Sequence, residues 1–258
     1  MNSRRTEYIA ILFVLLVAIA FCGRAVFTGR ALLPLDLLLL MYPWEAHREL
    51  FVQGPFVAQT GLLDPIQQYY PWRVFAVESL KSGIIPLWNP FSYCGQPFLA
   101  NLQSALFYPL NLIFLVISLP SAFTWGVVLH LFLAGGFMYL LLRQWKLSVF
   151  AAVFGGVAFM LNGYTLGWLE YPAPGLWVVT WLPAILLFYE KAVEKENWGW
   201  ALGCGLVVGV QFLGGQLQLS SFLLAAFLLY VLWRAFAARE RGAIIRRLGF
   251  GGAALATG

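Results

Sequence analysis

Most of this chain is divided into long apolar runs with hardly a charge in them, and that restricts the fold more than any other feature. The runs at residues 8–23, 122–142, 149–168, 175–189, 199–215 and 219–236 each approach the roughly 17–25 apolar residues that a helix needs to cross a bilayer. A seventh begins at Ile244 and reaches Gly258 without completing a crossing, so the chain reads as the N-terminal part of a longer protein. The expected fold is all-α, a polytopic transmembrane helical protein of about six to seven spans. It forms one membrane domain over residues 1–258, with a long first loop at 24–104 and helices from 105 onward.

With 61% hydrophobic and 10% charged residues, the chain lies far from the soluble average of about 25% charged. A net charge of +5 raises the question of nucleic acid, but the positions of the charges answer it. With the N-terminus placed in the cytoplasm, Arg4, Arg5, Arg143, Lys146, Lys191, Lys195, Arg234, Arg239, Arg241, Arg246 and Arg247, 11 of the 16 Lys and Arg, fall on the inner side. The remaining five (Arg24, Arg30, Arg48, Arg73, Lys81) lie in the first loop, balanced by Asp36, Glu45, Glu49, Asp64 and Glu78. Long loops cross regardless of charge, so the expected topology puts residues 24–104 outside the cytoplasmic membrane, with no nucleic-acid partner.

The first apolar run follows Arg4 and Arg5 as a secretory signal would, but its small-x-small pattern, Ala18-Ile19-Ala20, lies inside the run, and it reads as a retained helix. The three cysteines are too scattered for a disulfide framework or metal cluster; only Cys22 and Cys94 could meet outside.

Eight of the 13 prolines (Pro34, Pro43, Pro55, Pro65, Pro71, Pro86, Pro90, Pro97) crowd into the first loop. Proline removes amide donors and breaks helices, so short helical pieces joined by turns are expected there rather than a sheet or one long helix. Within Arg73–Lys81, Val74, Val77 and Leu80 form an apolar stripe with Arg73, Glu78 and Lys81 off it, the pattern of an interfacial helix. The apolar run Tyr108–Leu119 is too short to span; it reads as a re-entrant or interfacial piece, or else as an extension of the second span.

One pattern occurs twice in the loop: an Asp, five residues, then Tyr-Pro-Trp, at Asp36/Tyr42-Pro43-Trp44 and at Asp64/Tyr70-Pro71-Trp72. Ionisable groups beside lipid are costly and usually functional, which makes these carboxylates the first candidates for chemistry. A dense polar, aromatic and proline-rich block follows the second copy: Asp64-Pro-Ile-Gln-Gln-Tyr-Tyr-Pro-Trp-Arg73, Gly83-Ile-Ile-Pro-Leu-Trp-Asn-Pro-Phe91, Gly95-Gln-Pro-Phe98, Asn101-Leu-Gln103 and Phe107-Tyr-Pro-Leu-Asn111.

This block resembles the first-loop signature of the YfhO-like bacterial membrane proteins, a branch of the GT-C type of polytopic glycosyltransferase. Trp181-Leu-Pro183, Glu190-Lys191 and Gly214-Gly-Gln-Leu-Gln218 are similar to later family positions, so the likeness extends over about residues 33–240. The last of these lacks the family's proline before its final Gln, having Leu217 instead. The resemblance implies transfer of a sugar from a polyprenyl-phosphate carrier to an envelope glycopolymer or lipid acceptor, outside the bacterial cytoplasmic membrane. It places an acidic residue of the first loop on the acceptor, either Asp64 or Asp36.

The chemistry of inverting glycosyl transfer asks for the same groups: a base for the acceptor hydroxyl, and cations or amides for the departing phosphate. Asp64 is the leading base, and Asp36 a helper positioning the acceptor or a metal. Arg73 can grip phosphate in bidentate fashion. Trp72 and Trp88 can stack on sugar rings, and Asn89, Gln96, Asn101, Gln103 and Glu170 complete the candidate substrate contacts. The residues fix no cofactor, and metal dependence stays open because two carboxylates fit chemistry with or without a divalent metal.

Each assignment has a plainer alternative. Interfacial Trp and Arg serve as anchors, and loop aspartates cap helices. His130 reads as an interhelical hydrogen bond and Glu170 as a solvated turn. Gln216 and Gln218 could touch a carrier head group or simply bond within their turn. The pairs Gly135-Gly136, Gly155-Gly156 and Gly214-Gly215 read as helix-packing sites. No nucleotide-binding motif is present. The competing function is non-catalytic, a lipid or polymer translocator using the same outer cavity.

Overall fold

The computed structural model describes residues 3–52, 63–169, 175–238 and 240–258. Among them, the helices begin with α1 (Ser3–Phe21), α2 (Gly23–Thr28), α3 (Tyr70–Lys81) and α4 (Ile113–Val116). The larger part of the bundle follows as α5 (Leu119–Gln144), α6 (Val149–Met160), α7 (Gly163–Gly167), α8 (Gly175–Val179), α9 (Leu182–Lys195), α10 (Trp198–Leu213), α11 (Leu217–Phe236) and α12 (Arg241–Thr257). A two-residue ribbon, β1 (Trp88–Asn89) antiparallel to β2 (Gln96–Pro97), is the one departure from all-α among the described residues, in a loop where no sheet was expected.

Among the described residues four stretches are long and apolar enough to cross a membrane: Leu119–Gln144, Val149–Gly167, Gly175–Lys195 and Leu217–Phe236. Their starts are written locally. Pro120 and Pro183 sit in first turns, where no intrahelical amide is needed. Ser148 caps α6 by accepting from Ala151 N–H, Asn162 caps α7 through Thr165 N–H, and Asn197 caps α10 through Gly199 N–H.

The α5 and α8–α9 stretches form the centre, while α6–α7 and α11 lie outermost and leave Phe150, Phe154, Phe222 and Leu229 exposed. Such apolar outer faces suit lipid. Small residues allow the closest approach: a Cβ on Gly156 would stand 2.7 Å from Gly135 O, and one on Gly135 would meet Val14 and Met160. These two glycines therefore pack α1, α5 and α6 together, as read from the sequence.

The first loop folds into short pieces: 3-10 turns at Leu35–Leu40 and Trp44–Leu50, a wide turn at Pro65–Tyr69 running straight into α3, then the ribbon. Two details refine the sequence pattern. The buried face of α3 is Trp72, Arg73, Ala76 and Val77, so Arg73 sits on the packed side and the helix lies against the bundle. The Tyr108–Leu119 run is not an extension of α5, because Ile117 is extended and separates α4 from it. All three cysteines are free, Cys22 buried and Cys94 exposed.

Candidate functional site

The two copies of the Asp-Tyr-Pro-Trp pattern fold differently. The first bends, its Asp36 in a 3-10 turn and its Tyr42 86% exposed; the second is helical throughout, with Trp72 only 8% exposed. Pro71 offers no amide to the turn before it, and there the helix widens, with Tyr70 N–H donating to Pro65 O. The Leu35–Leu40 turn packs against Pro65–Tyr69, so the segments carrying Asp36 and Asp64 are neighbours.

Asp64 is half-buried and accepts a hydrogen bond from Gln68 Nε2 at 3.2 Å. Gln68 in turn lines a cavity of about 600 Å³ whose walls also include Gln67, Trp72, Tyr93, Gln96, Asn101 and Gln103. Four residues named from sequence, Trp72, Gln96, Asn101 and Gln103, thus face one space. Gln67, Gln68 and Tyr93 were not singled out, although helical spacing from Asp64 puts Gln68 on the same face as the acid.

Other candidates stand around this space rather than in it. Asn89 is buried and holds its own turn, accepting from Phe91 N–H and donating to Ser92 Oγ. Trp88 covers Gly95, where a Cβ would come within 2.5 Å of the indole nitrogen and φ is +109°. Glu170 lies outside the described residues.

Arg73 is the largest departure from the sequence reading. It is 4% exposed, donates from Nη1 to Ser104 O at 2.7 Å, and lies 5.2 Å and 5.3 Å from the ring centroids of Phe114 and Trp177. Burial pushes its pKa down to about 9, which still leaves it charged at neutral pH. Its cation is held by π faces and one carbonyl, and it does not line the polar cavity.

Tyr108, at the start of the turn that follows the first loop, joins this packing to the helices. Its hydroxyl donates to His130 Nε2 (2.7 Å) and accepts from Trp181 Nε1–H (2.9 Å), while His130 Nδ1–H donates to Gly126 O (2.6 Å). A carbonyl only accepts, so the proton sits on Nδ1 and Nε2 is free to accept. Trp177 stacks on both Tyr108 and His130. The partner of His130 was invisible in the sequence because it comes from the short turn before α4, 22 residues away, and not from another span.

The α10–α11 turn packs against the backbone of the segment that carries Leu102 and Gln103. At Gly215 φ is +92°, and a Cβ would stand 2.6 Å from Leu102 O and 3.2 Å from Gln103 Cα. Gly215→Ala is therefore expected to destabilise the protein by about 2 kcal/mol or more, read by thermal unfolding in detergent. Gly136→Ala, whose Cβ would meet nothing within 4 Å, serves as the near-neutral control, and equal melting of the two variants would remove Gly215 from the docking role.

Among the described residues no group of three or more His, Cys, Asp or Glu is placed to hold a metal, and no step below is routed through one. No protein family, curated protein or solved structure matches the chain.

Proposed function

We propose that the protein is a bacterial membrane glycosyltransferase. It takes a sugar from a polyprenyl-phosphate carrier and transfers it to an envelope glycopolymer or lipid acceptor, outside the cytoplasmic membrane. In this reading the six to seven apolar segments span the bilayer, the N-terminus is cytoplasmic and the first loop is extracytoplasmic. The observation that carries it is the amide- and aromatic-lined cavity reached from Asp64 through Gln68. Amide side chains both donate and accept, matching the hydroxyls of a sugar, and Trp72 and Tyr93 offer faces to its C–H side. Its volume lies within the usual range for a small-molecule site.

Asp64, hydrogen-bonded to Gln68 of the cavity wall, takes the proton from the acceptor hydroxyl as it attacks the anomeric carbon, and the carrier phosphate departs with the C–O bond electrons. Asp36, on the adjoining turn, orients the acceptor. Arg73 fixes the wall behind the site.

The test is sugar transfer by the full chain from a radiolabelled polyprenyl-phosphate sugar. Gln96→Ala and Gln103→Ala are each expected to raise KM for the donor about tenfold, the loss of roughly one hydrogen bond to the sugar. Unchanged KM in both would remove the cavity from donor binding. Lipid or polymer export without turnover would establish the translocator instead.

A further inference from the structure

A second cavity, of about 610 Å³, opens at the other end of the bundle, between the ends of α5, α9 and α11 and the first half of α12. It is separated from the first loop by the length of α5, 26 residues or about 39 Å. Its walls include Trp145, Tyr230 and Trp233, aromatic residues of the kind that sit at head-group level, together with Val193. Three cations (Lys146, Arg234, Arg247) and two carboxylates (Glu190, Glu194) face it, which leaves one positive charge in excess.

Most surrounding cations are committed elsewhere. Arg143 pairs with Glu7, Arg246 with Glu196 and Arg234 with Glu190, while Lys191 and Lys195 lie over Trp200. Glu194 accepts from Gln144. Lys146 and Arg247 have no carboxylate partner among the described residues; Arg247 donates one Nη1–H to Arg234 O and keeps further donors.

We infer that this cavity binds the head group of an anionic phospholipid, with Lys146 and Arg247 on the phosphodiester and the aromatic walls against the glycerol and upper acyl chain. A single phosphodiester carries the one negative charge that neutralises the lining. Basic pockets between membrane helices are suited to such head groups. The site is independent of the sugar-transfer reading.

The experiment is thermal unfolding of the full chain in an uncharged detergent, titrated with phosphatidylglycerol, phosphatidylcholine or inorganic phosphate. Phosphatidylglycerol is expected to raise Tm by about 5 °C more than phosphatidylcholine at equal mole fraction. Lys146→Ala and Arg247→Gln should each lose at least half of that difference, whereas Arg5→Ala, which removes an exposed charge at the same end but outside the cavity, should keep it. Lys146 is exposed, so its variant folds even where Arg247→Gln does not. Equal shifts with the two lipids, or an undiminished difference in Lys146→Ala, would overturn the inference. An equal rise with inorganic phosphate would also overturn it, by assigning the site to a soluble anion.

Discussion

Asp64→Asn is expected to lower sugar transfer by about 10²–10⁴-fold, the usual contribution of a positioned general base. The substitution is nearly isosteric. An Asn carbonyl can still accept the hydrogen bond that Gln68 Nε2 gives at 3.2 Å, so the helix start and the cavity wall keep their shape and Tm should not move. What disappears is the basicity of the carboxylate, since an amide oxygen does not take a proton from the acceptor, so the loss should appear in kcat while KM for the donor holds. Asp36→Asn, on the neighbouring turn, is expected to cost less, about tenfold, because orientation and not proton transfer is lost. Wild-type turnover in both single variants and in the double variant would end the case for a catalytic carboxylate.

Glu190→Ala should produce the largest change in stability. The Glu190 carboxylate is buried and receives Arg234 at two points, Nε at 2.7 Å and Nη2 at 2.8 Å, and the Tyr230 hydroxyl at 2.7 Å. Removing it strands a guanidinium between helices and leaves a phenol without its acceptor. Breaking such a pair costs about 3–5 kcal/mol when no water reaches it. Here the Arg234 side chain is 26% exposed toward the cavity, so the lower end, about 3 kcal/mol, is expected. Glu190→Gln retains an acceptor for both partners and should cost about half as much. Unfolding in detergent measures each, and the pair Glu190→Leu with Arg234→Met should recover most of the loss, since no lone charge remains. An alanine variant as stable as wild type would show that the pair does not hold α9 to α11.

Much of the bundle was legible because its signals are local and periodic. Uncharged runs mark α5, α6–α7 and α11, and Ser148, Asn162 and Asn197 mark helix starts. The break between α8 and α9 was signalled only by Pro183, and a proline that opens a new helix looks in sequence the same as one tolerated inside a single span. In the loop, Trp72, Gln96, Asn101 and Gln103 could be grouped by their dense spacing, and they do share one cavity. Arg73 could not be placed, because a charge in a sequence reads as solvated until the two rings that shield it, Phe114 and Trp177, are brought over by folding. Asn89 shows the opposite limit: its polar atoms look available, and the turn consumes them.

The contact between Gly215 and Leu102 carries a consequence for biosynthesis. Ribosomes deliver the chain from its N-terminus, yet the seat of residues 102–105 is supplied by a turn more than a hundred residues later, and Tyr108 waits for Trp181 in the same way. The first loop thus emerges long before the surfaces that organise it exist. Until the α10–α11 turn has been made, residues 102–105 lack the Gly215 surface they pack against, so a nascent chain stalled at α9 would carry every polar residue of the site with that segment unseated.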